Sequence, residues 1–279
     1  MDKQLFFAFG QAKSGTTFLQ RTLNLHPEVS CSSEHRFSVF IDRFQQLFKQ
    51  YDNLLALVDK RTGGQGIIPT SPFMVEKLFR YTVECIIKES AKDKGIAGAN
   101  DNEILYRIEA YNELFDSPKF IVIFRNPIDT AISAWHHNMR LAKEENNPNH
   151  EQLMTKHGGF EGWLKFAAEL FSQDVKRYKA FAENHNNIIM VRYEDLLRYK
   201  KNSLLQLFHF LGASTCDNIL NCIIEQSSLK AMRENSSQKL FFRSASITMG
   251  QGVISDSLRK EIARIASDAL QILDYNLFK

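Results

Sequence analysis

The sequence predicts an α/β protein, a single domain over residues 1–279 with a central open parallel sheet flanked by helices. Three observations carry that class. Residues 5–9 form a short apolar run closed by Gly10, followed by the compact loop GQAKSGTT and then an apolar-periodic helix. Residues 120–124, FIVIF, are an uninterrupted apolar run suited to a strand covered on both faces. Residues 188–191 form a third such run and end in Arg192-Tyr193-Glu194-Asp195. Strands that each feed a polar loop and then a helix build an open parallel sheet, with ligand chemistry at the strand ends.

The remaining elements follow in order. Phe18, Leu19, Thr22 and Leu23 recur at helical spacing after the first loop, and His26-Pro27 stops that helix. Residues 37–60 and 72–92 read as mainly helical, and the glycines and Pro69 of residues 61–70 make a loop between them. Arg125-Asn126-Pro127 ends the second strand, and Pro127 favours a helix starting near Ile128. Residues 144–159, with ENNPNHEQ and Gly158-Gly159, read as a mobile surface excursion before a helix through Trp163. Residues 255–277 read as one amphipathic helix, with Leu258, Ile262, Ile265, Ala269 and Ile272 on one side. No internal repeat or low-complexity linker divides the chain.

Composition narrows the function classes. Hydrophobic residues at 44% and charged residues at 24% support a real core and exclude disordered, collagenous and coiled-coil readings. A formal charge of +3 is too small to make nucleic acid or an anionic membrane the main partner. Cys31, Cys85, Cys216 and Cys222 show no C-x-x-C spacing, so no zinc or iron–sulfur pattern is expected. No apolar stretch approaches the length of a membrane span, and a cytoplasmic protein is the expectation. The 22 Phe residues point mainly to a Phe-rich core, with Phe18 and Phe37 as the two that could instead face a ligand.

The first loop has the chemistry of an anion cradle. Gly15 relaxes its backbone, so N–H groups from Lys13 to Thr17 can converge on a phosphate at the following helix N-terminus. Lys13 adds charge, and Ser14, Thr16 and Thr17 add hydroxyl donors. The order is not that of the Walker A loop, because Lys precedes the Gly, and no strand-terminal Asp suited to Mg²⁺ is evident. A glycine turn beside a solvent-exposed Lys is the plain alternative.

Ala12-Lys13-Ser14-Gly15-Thr16-Thr17-Phe18-Leu19 resembles the 5'-phosphosulfate loop of the sulfotransferase family, departing by Ala12 where that loop has Pro. These enzymes use 3'-phosphoadenosine 5'-phosphosulfate (PAPS) and release 3'-phosphoadenosine 5'-phosphate (PAP). Arg125, with Ser133 eight residues later, matches the family's second signature and implies a 3'-phosphate site. Tyr193-Glu194-Asp195 resembles the segment near adenosine, and Ser228, Leu229, Met232 and Asn235 fall in register with its adenine-side helix. Phe242-Arg243 resembles the start of the C-terminal nucleotide loop, which departs at Ser244, Ala245 and Gly250-Gln251-Gly252.

The resemblance implies a P-loop-NTPase-like sulfotransferase architecture and transfer of a sulfuryl group to a hydroxyl or an amine- or guanidine-type nitrogen of a small metabolite, with no metal required. The implied nucleotide-binding residues are Lys13, Ser14, Gly15, Thr16, Thr17, Phe18, Arg125, Ser133, Tyr193, Ser228, Leu229, Arg243 and Gly250. Lys13 is also the implied stabiliser of the leaving phosphate. Glu34, in SSEHRF, resembles the base of the protein-tyrosine and heparan-type branches, with His35 in reserve. His136 and His137 follow Ser133 on one helix and suit either a pocket wall or structural roles; His137 is carried as a catalytic candidate. Phe37, Phe40, the loop near Pro69, His137, Trp163 and residues 144–159 are expected around the acceptor. A small-molecule kinase, a PAP-binding protein without turnover, and a glycan or protein-tyrosine acceptor are the alternatives. A homodimer is an open arrangement.

Overall fold

Five parallel strands form one sheet in the order β2-β3-β1-β4-β5. They are β1 (Gln4–Gly10), β2 (Val29–Ser32), β3 (Ile96–Asn100), β4 (Lys119–Phe124) and β5 (Ile188–Arg192). The computed structural model describes residues 3–64, 66, 69–228, 231 and 252–277. The chain builds one side of the sheet and then crosses β1 to build the other. The C-terminal ends of β1 and β4 therefore flank a switch point, where open α/β sheets hold ligands.

Alternation along β1 gives the sheet two cores. Phe7 and Phe9 point to one side with Ala97, Ala99, Phe120, Val122 and Phe124. Phe6 and Ala8 point to the other with Ile121, Ile123, Phe18 and Leu19. Most of the Phe surplus is packing: Phe9 meets Tyr178 edge-on at 5.6 Å, and Phe124 meets Phe171 likewise at 5.9 Å.

β3 reads IAGAN and is buried along its whole length. Gly98 is glycine because the Phe6 ring fills the adjoining space; a Cβ there would lie 2.4 Å from that ring. Such a strand lacks the β-branched apolar signal that marks β4, and so does β2, VSCS. The three strands legible from the pattern are therefore three of five.

The helices are α1 (Thr16–Asn24), α2 (Phe37–Arg61), α3 (Pro72–Ser90), α4 (Ile108–Leu114), α5 (Pro127–Glu144), α6 (Pro148–Thr155) and α7 (Gly159–Asn184). Then come α8 (Tyr193–Arg198), α9 (Lys200–Leu211), α10 (Asp217–Gln226), α11 (Asp256–Ile265) and α12 (Ser267–Ile272). A 3₁₀ turn spans Asn102–Tyr106.

Two expectations are corrected. Residues 144–159 are not an irregular excursion, because they hold α6: Asn147 caps it, Pro148 occupies its first turn and Met154 anchors it at 1% exposure. The C-terminal helix is two helices, broken at Ala266, where φ is −98° and ψ 13°. Beyond the break the buried side is Ala269, Leu270 and Leu273, leaving Ile272 exposed.

Candidate active site

The loop after β1 turns into α1 through two left-handed residues, Lys13 at φ 74° and Gly15 at φ 104°. The Ser14 N–H donates to Gln11 O at 3.0 Å, closing the turn, while Leu19 N–H donates to Gly15 O at 3.0 Å. Gly15 is the N-cap of α1, and neither a side-chain cap nor an acidic residue occupies that first turn. Its N–H groups and positive dipole end thus face the loop with no acidic side chain of that turn against them. Ser14 is buried, and its hydroxyl packs where a Cβ on Gly10 would stand, 2.6 Å away. Thr16 is buried and Thr17 half-buried on the first turn.

Arg125 comes to this loop from the end of β4. Its Nη1 donates to Lys13 O at 3.4 Å, its Nη2 lies 3.9 Å from Asp129 Oδ2, and its guanidinium sits 5.0 Å from the Tyr193 ring centroid. Tyr193 opens α8 and lies against Gly15, with Phe18 edge-on at 5.7 Å. Burial raises the Tyr193 hydroxyl above its ordinary range, and Arg125 opposes that shift. The turn after β4 is built by Asn126, which caps α5 by accepting from Ile128 N–H and donates its own N–H to Glu194 at 2.9 Å. Glu194 also accepts from Tyr275 Oη at 2.6 Å, which ties the two strand ends to the C-terminal segment.

Ser133 is half-buried on α5, and His137 lies one turn further. Arg140 Nη2 is 3.3 Å from His137 Nδ1. Since arginine only donates, Nδ1 is the acceptor and the ring proton of neutral His137 sits on Nε2. Burial, Lys13 and Arg140 all lower the His137 pKa. A neutral ring presenting N–H is a hydrogen-bond donor rather than a base. His136 is exposed.

Glu34 follows β2. Its Oε1 accepts from Asn102 Nδ2 at 2.5 Å. Glu34 is exposed at the surface, yet crowding by neighbouring atoms strips part of its hydration and raises its pKa, with Asp101 adding to the shift, Arg36 opposing it, Glu103 adding again and Lys13 opposing. Burial lowers the Lys13 ammonium, as does Arg140, while Glu34 opposes. Lys13, Glu34, Arg140 and His137 are therefore one electrostatic group at the strand ends. His35 is engaged elsewhere, with Nε2 2.8 Å from Ser32 Oγ and its ring stacked on Phe37 at 4.9 Å. Phe37 is 1% exposed, and Trp163 donates Nε1–H to Ala131 O at 2.9 Å. Phe37 is thus core, whereas Trp163 is half-buried.

The adenine-side candidates divide. Ser228 follows α10, and its Oγ accepts from Ala231 N–H at 3.2 Å. Lys200 Nζ donates to Ser227 O at 2.8 Å and lies 5.9 Å from the Phe18 centroid, which brings the end of α10 toward the Tyr193 side. Leu229, Met232, Asn235, Arg243 and Gly250 lie outside the described residues.

Several members carry no sequence signal of their own. Arg140 is one. Gln11 and Asp174 are two more: Gln11 Nε2 donates to Asp174 Oδ2 at 2.6 Å, so α7 grips the loop from behind. Asp101 directly follows β3, and both its oxygens accept backbone N–H groups, from Phe37 at 3.0 Å and Glu103 at 3.1 Å. Among the described residues, no three His, Cys, Asp or Glu side chains are grouped as a metal site. No described helix is long and apolar enough to cross a membrane.

The family model for the sulfotransferase domain matches residues 4–262. This chain belongs to the sulfotransferase family. Sulfotransferase 6B1 of Pan troglodytes is 31% identical over 232 residues, which cover 76% of this chain and 70% of that relative. Sulfotransferase 6B1 of Danio rerio is 29% identical over 147 residues, covering 50% and 45%. Protein-tyrosine sulfotransferase 2 of Gallus gallus is 22% identical over 218 residues, covering 78% and 53%. The chain thus spans about half the length of the latter two relatives. Among solved structures, a sulfotransferase domain from the curacin biosynthetic pathway superposes with TM-score 0.55 at 16% identity, covering 99% of both chains. A mouse sulfotransferase complexed with PAP gives 0.54 at 17% identity, covering 98% of this chain and 87% of that one.

Proposed function

We propose that this sulfotransferase transfers a sulfuryl group from PAPS to a hydroxyl or nitrogen of a small metabolite and releases PAP. One observation carries the reading: Arg125, after β4, reaches the backbone of Lys13, after β1, and the Tyr193 ring lies against both Arg125 and Gly15. A multiply anionic nucleotide needs cationic, N–H-rich receptors side by side at a switch point, and this is such an arrangement. The uncapped first turn of α1 and Lys13 suit the phosphosulfate end. Arg125, with Ser133, suits the 3'-phosphate, because a guanidinium holds two phosphate oxygens at once. Tyr193, with Phe18 and the α10 end at Ser228, suits the adenosine side.

Bound there, PAPS supplies the sulfuryl group. Lys13 donates to the oxygen on which negative charge develops, and the uncapped N–H groups of α1 share that load. Glu34 takes the proton of the attacking hydroxyl or amine, and a carboxyl raised above its ordinary range is better matched to that task. His137, with its proton on Nε2, donates toward the site instead. His35, held by Ser32 and Phe37, is the less suitable base.

The test has two parts. PAP should raise the melting temperature without added Mg²⁺, and its failure to do so overturns the nucleotide assignment. Incubation with PAPS and a metabolite panel, read by mass spectrometry for one added sulfo group, then identifies the acceptor class.

A further inference from the structure

Three consecutive residues after β3 each grip the segment after β2. Asp101 is 1% exposed, donates its N–H to Ala8 O of β1 at 3.0 Å, and accepts the Phe37 N–H at the start of α2. Asn102 donates to the Glu34 carboxylate at 2.5 Å. Glu103 accepts from Arg36 Nε at 3.3 Å and from the Ser38 hydroxyl. The gripped segment needs such support. Arg36 sits in the left-handed region at φ 53°, and α2 begins there without a side-chain cap of its own. Phe37 is the one residue of α2 that is fully buried.

We propose that Asp101, Asn102 and Glu103 form a clasp that fixes residues 34–38 to the end of the sheet, with Asn102 as the positioning residue of the Glu34 carboxylate. The inference rests on reading Glu34 as the base, but the clasp itself consists of contacts within the chain that need no acceptor. The charged groups facing Glu34 are Asp101 and Glu103 from the segment after β3, Lys13 from the loop after β1, and Arg36 beside it. Asn102 donates to the ionised carboxylate and favours that form, whereas Asp101 is a buried like charge that disfavours it. The clasp thus acts on Glu34 with two opposite signs.

Those signs make the test independent of any acceptor. The Glu34 titration is followed in the full chain by carbon-13 NMR of labelled Glu, with Glu34→Gln assigning the resonance. Asn102→Ala should raise the Glu34 midpoint by about one pH unit, the worth of one hydrogen bond to a charged group. Asn102→Asp, of the same shape but a like charge, should raise it at least as far. A midpoint that stays put in both Asn102 variants overturns the clasp. PAP-dependent melting shifts should persist in both, which separates failure of the clasp from failure of the nucleotide site.

Discussion

The Tyr193 ring lies directly against Gly15: a Cβ placed on Gly15 would stand 2.4 Å from Tyr193 Cδ2. The turn into α1 is therefore closed by an aromatic ring from the end of β5, and that ring also carries the Arg125 guanidinium. Gly15 at φ 104° has two reasons to be glycine, its backbone conformation and the ring above it. Gly15→Ala should cost roughly 2–4 kcal/mol, from left-handed strain plus overpacking. It should also remove the PAP-dependent melting shift, because the first-turn N–H groups move. Calorimetry with and without PAP reads both; a variant with wild-type melting and a wild-type PAP shift contradicts the packing described.

Arg125 is the residue expected to sense the 3'-phosphate. Wild type should prefer PAP to adenosine 5'-phosphate, and Arg125→Ala should reduce that preference about 10- to 100-fold, the worth of a charge-assisted pair. Isothermal titration with the two nucleotides measures it. Equal losses for both ligands would assign Arg125 to the loop backbone alone.

Glu34→Gln should lower turnover about 100-fold or more while leaving PAP affinity nearly unchanged, as expected for loss of a base that does not touch the nucleotide. The pH profile follows from the raised carboxyl. A base works deprotonated, so kcat/KM should rise with pH through a midpoint above the ordinary Glu range. Once an acceptor is in hand, steady-state kinetics across pH checks the midpoint. Wild-type turnover in the variant would remove Glu34 from the proton path.

Asp174 should make stability pH-dependent. Burial pushes its carboxyl up to about 6 from 3.8, against the opposing pulls of Gln11 and Arg177. The folded state then keeps the proton that the unfolded chain releases near pH 4. Its stabilising share is complete below that pH, declines as pH rises toward 6, and stays lost above. Asp174→Asn retains an oxygen to accept from Gln11 and removes the charge. The variant should exceed wild type by roughly 1–3 kcal/mol at pH 7–8, with the gap closing toward pH 4. Parallel thermal melts across pH measure the gap; a variant less stable at every pH contradicts it.

The legible part of the site is the part where one residue type in one spacing has one use. Lys13 to Thr17 sits between an apolar strand and a periodic helix, and Arg125 ends an uninterrupted apolar run, so pattern put both at strand ends while the family resemblance suggested their use. α6 was readable too, since Asn147-Pro148 is a capped helix start, but the polar run around it resembles a loop. β3 was not readable, because Gly98 answers to the Phe6 ring and the alanines beside it carry little strand propensity.

Sequence by itself determined the parallel α/β class, the glycine loop between β1 and α1 at Lys13 to Thr17, and the family to which the chain belongs. Tertiary structure decided which groups act together. Asn102 meets Glu34 across 68 positions, Gln11 meets Asp174 across 163, and Arg140 fixes the His137 tautomer while lowering the Lys13 ammonium. Local pattern reports the period of a helix or strand, whereas proton affinity depends on burial and on charges that only strand order and helix packing bring within a few ångströms.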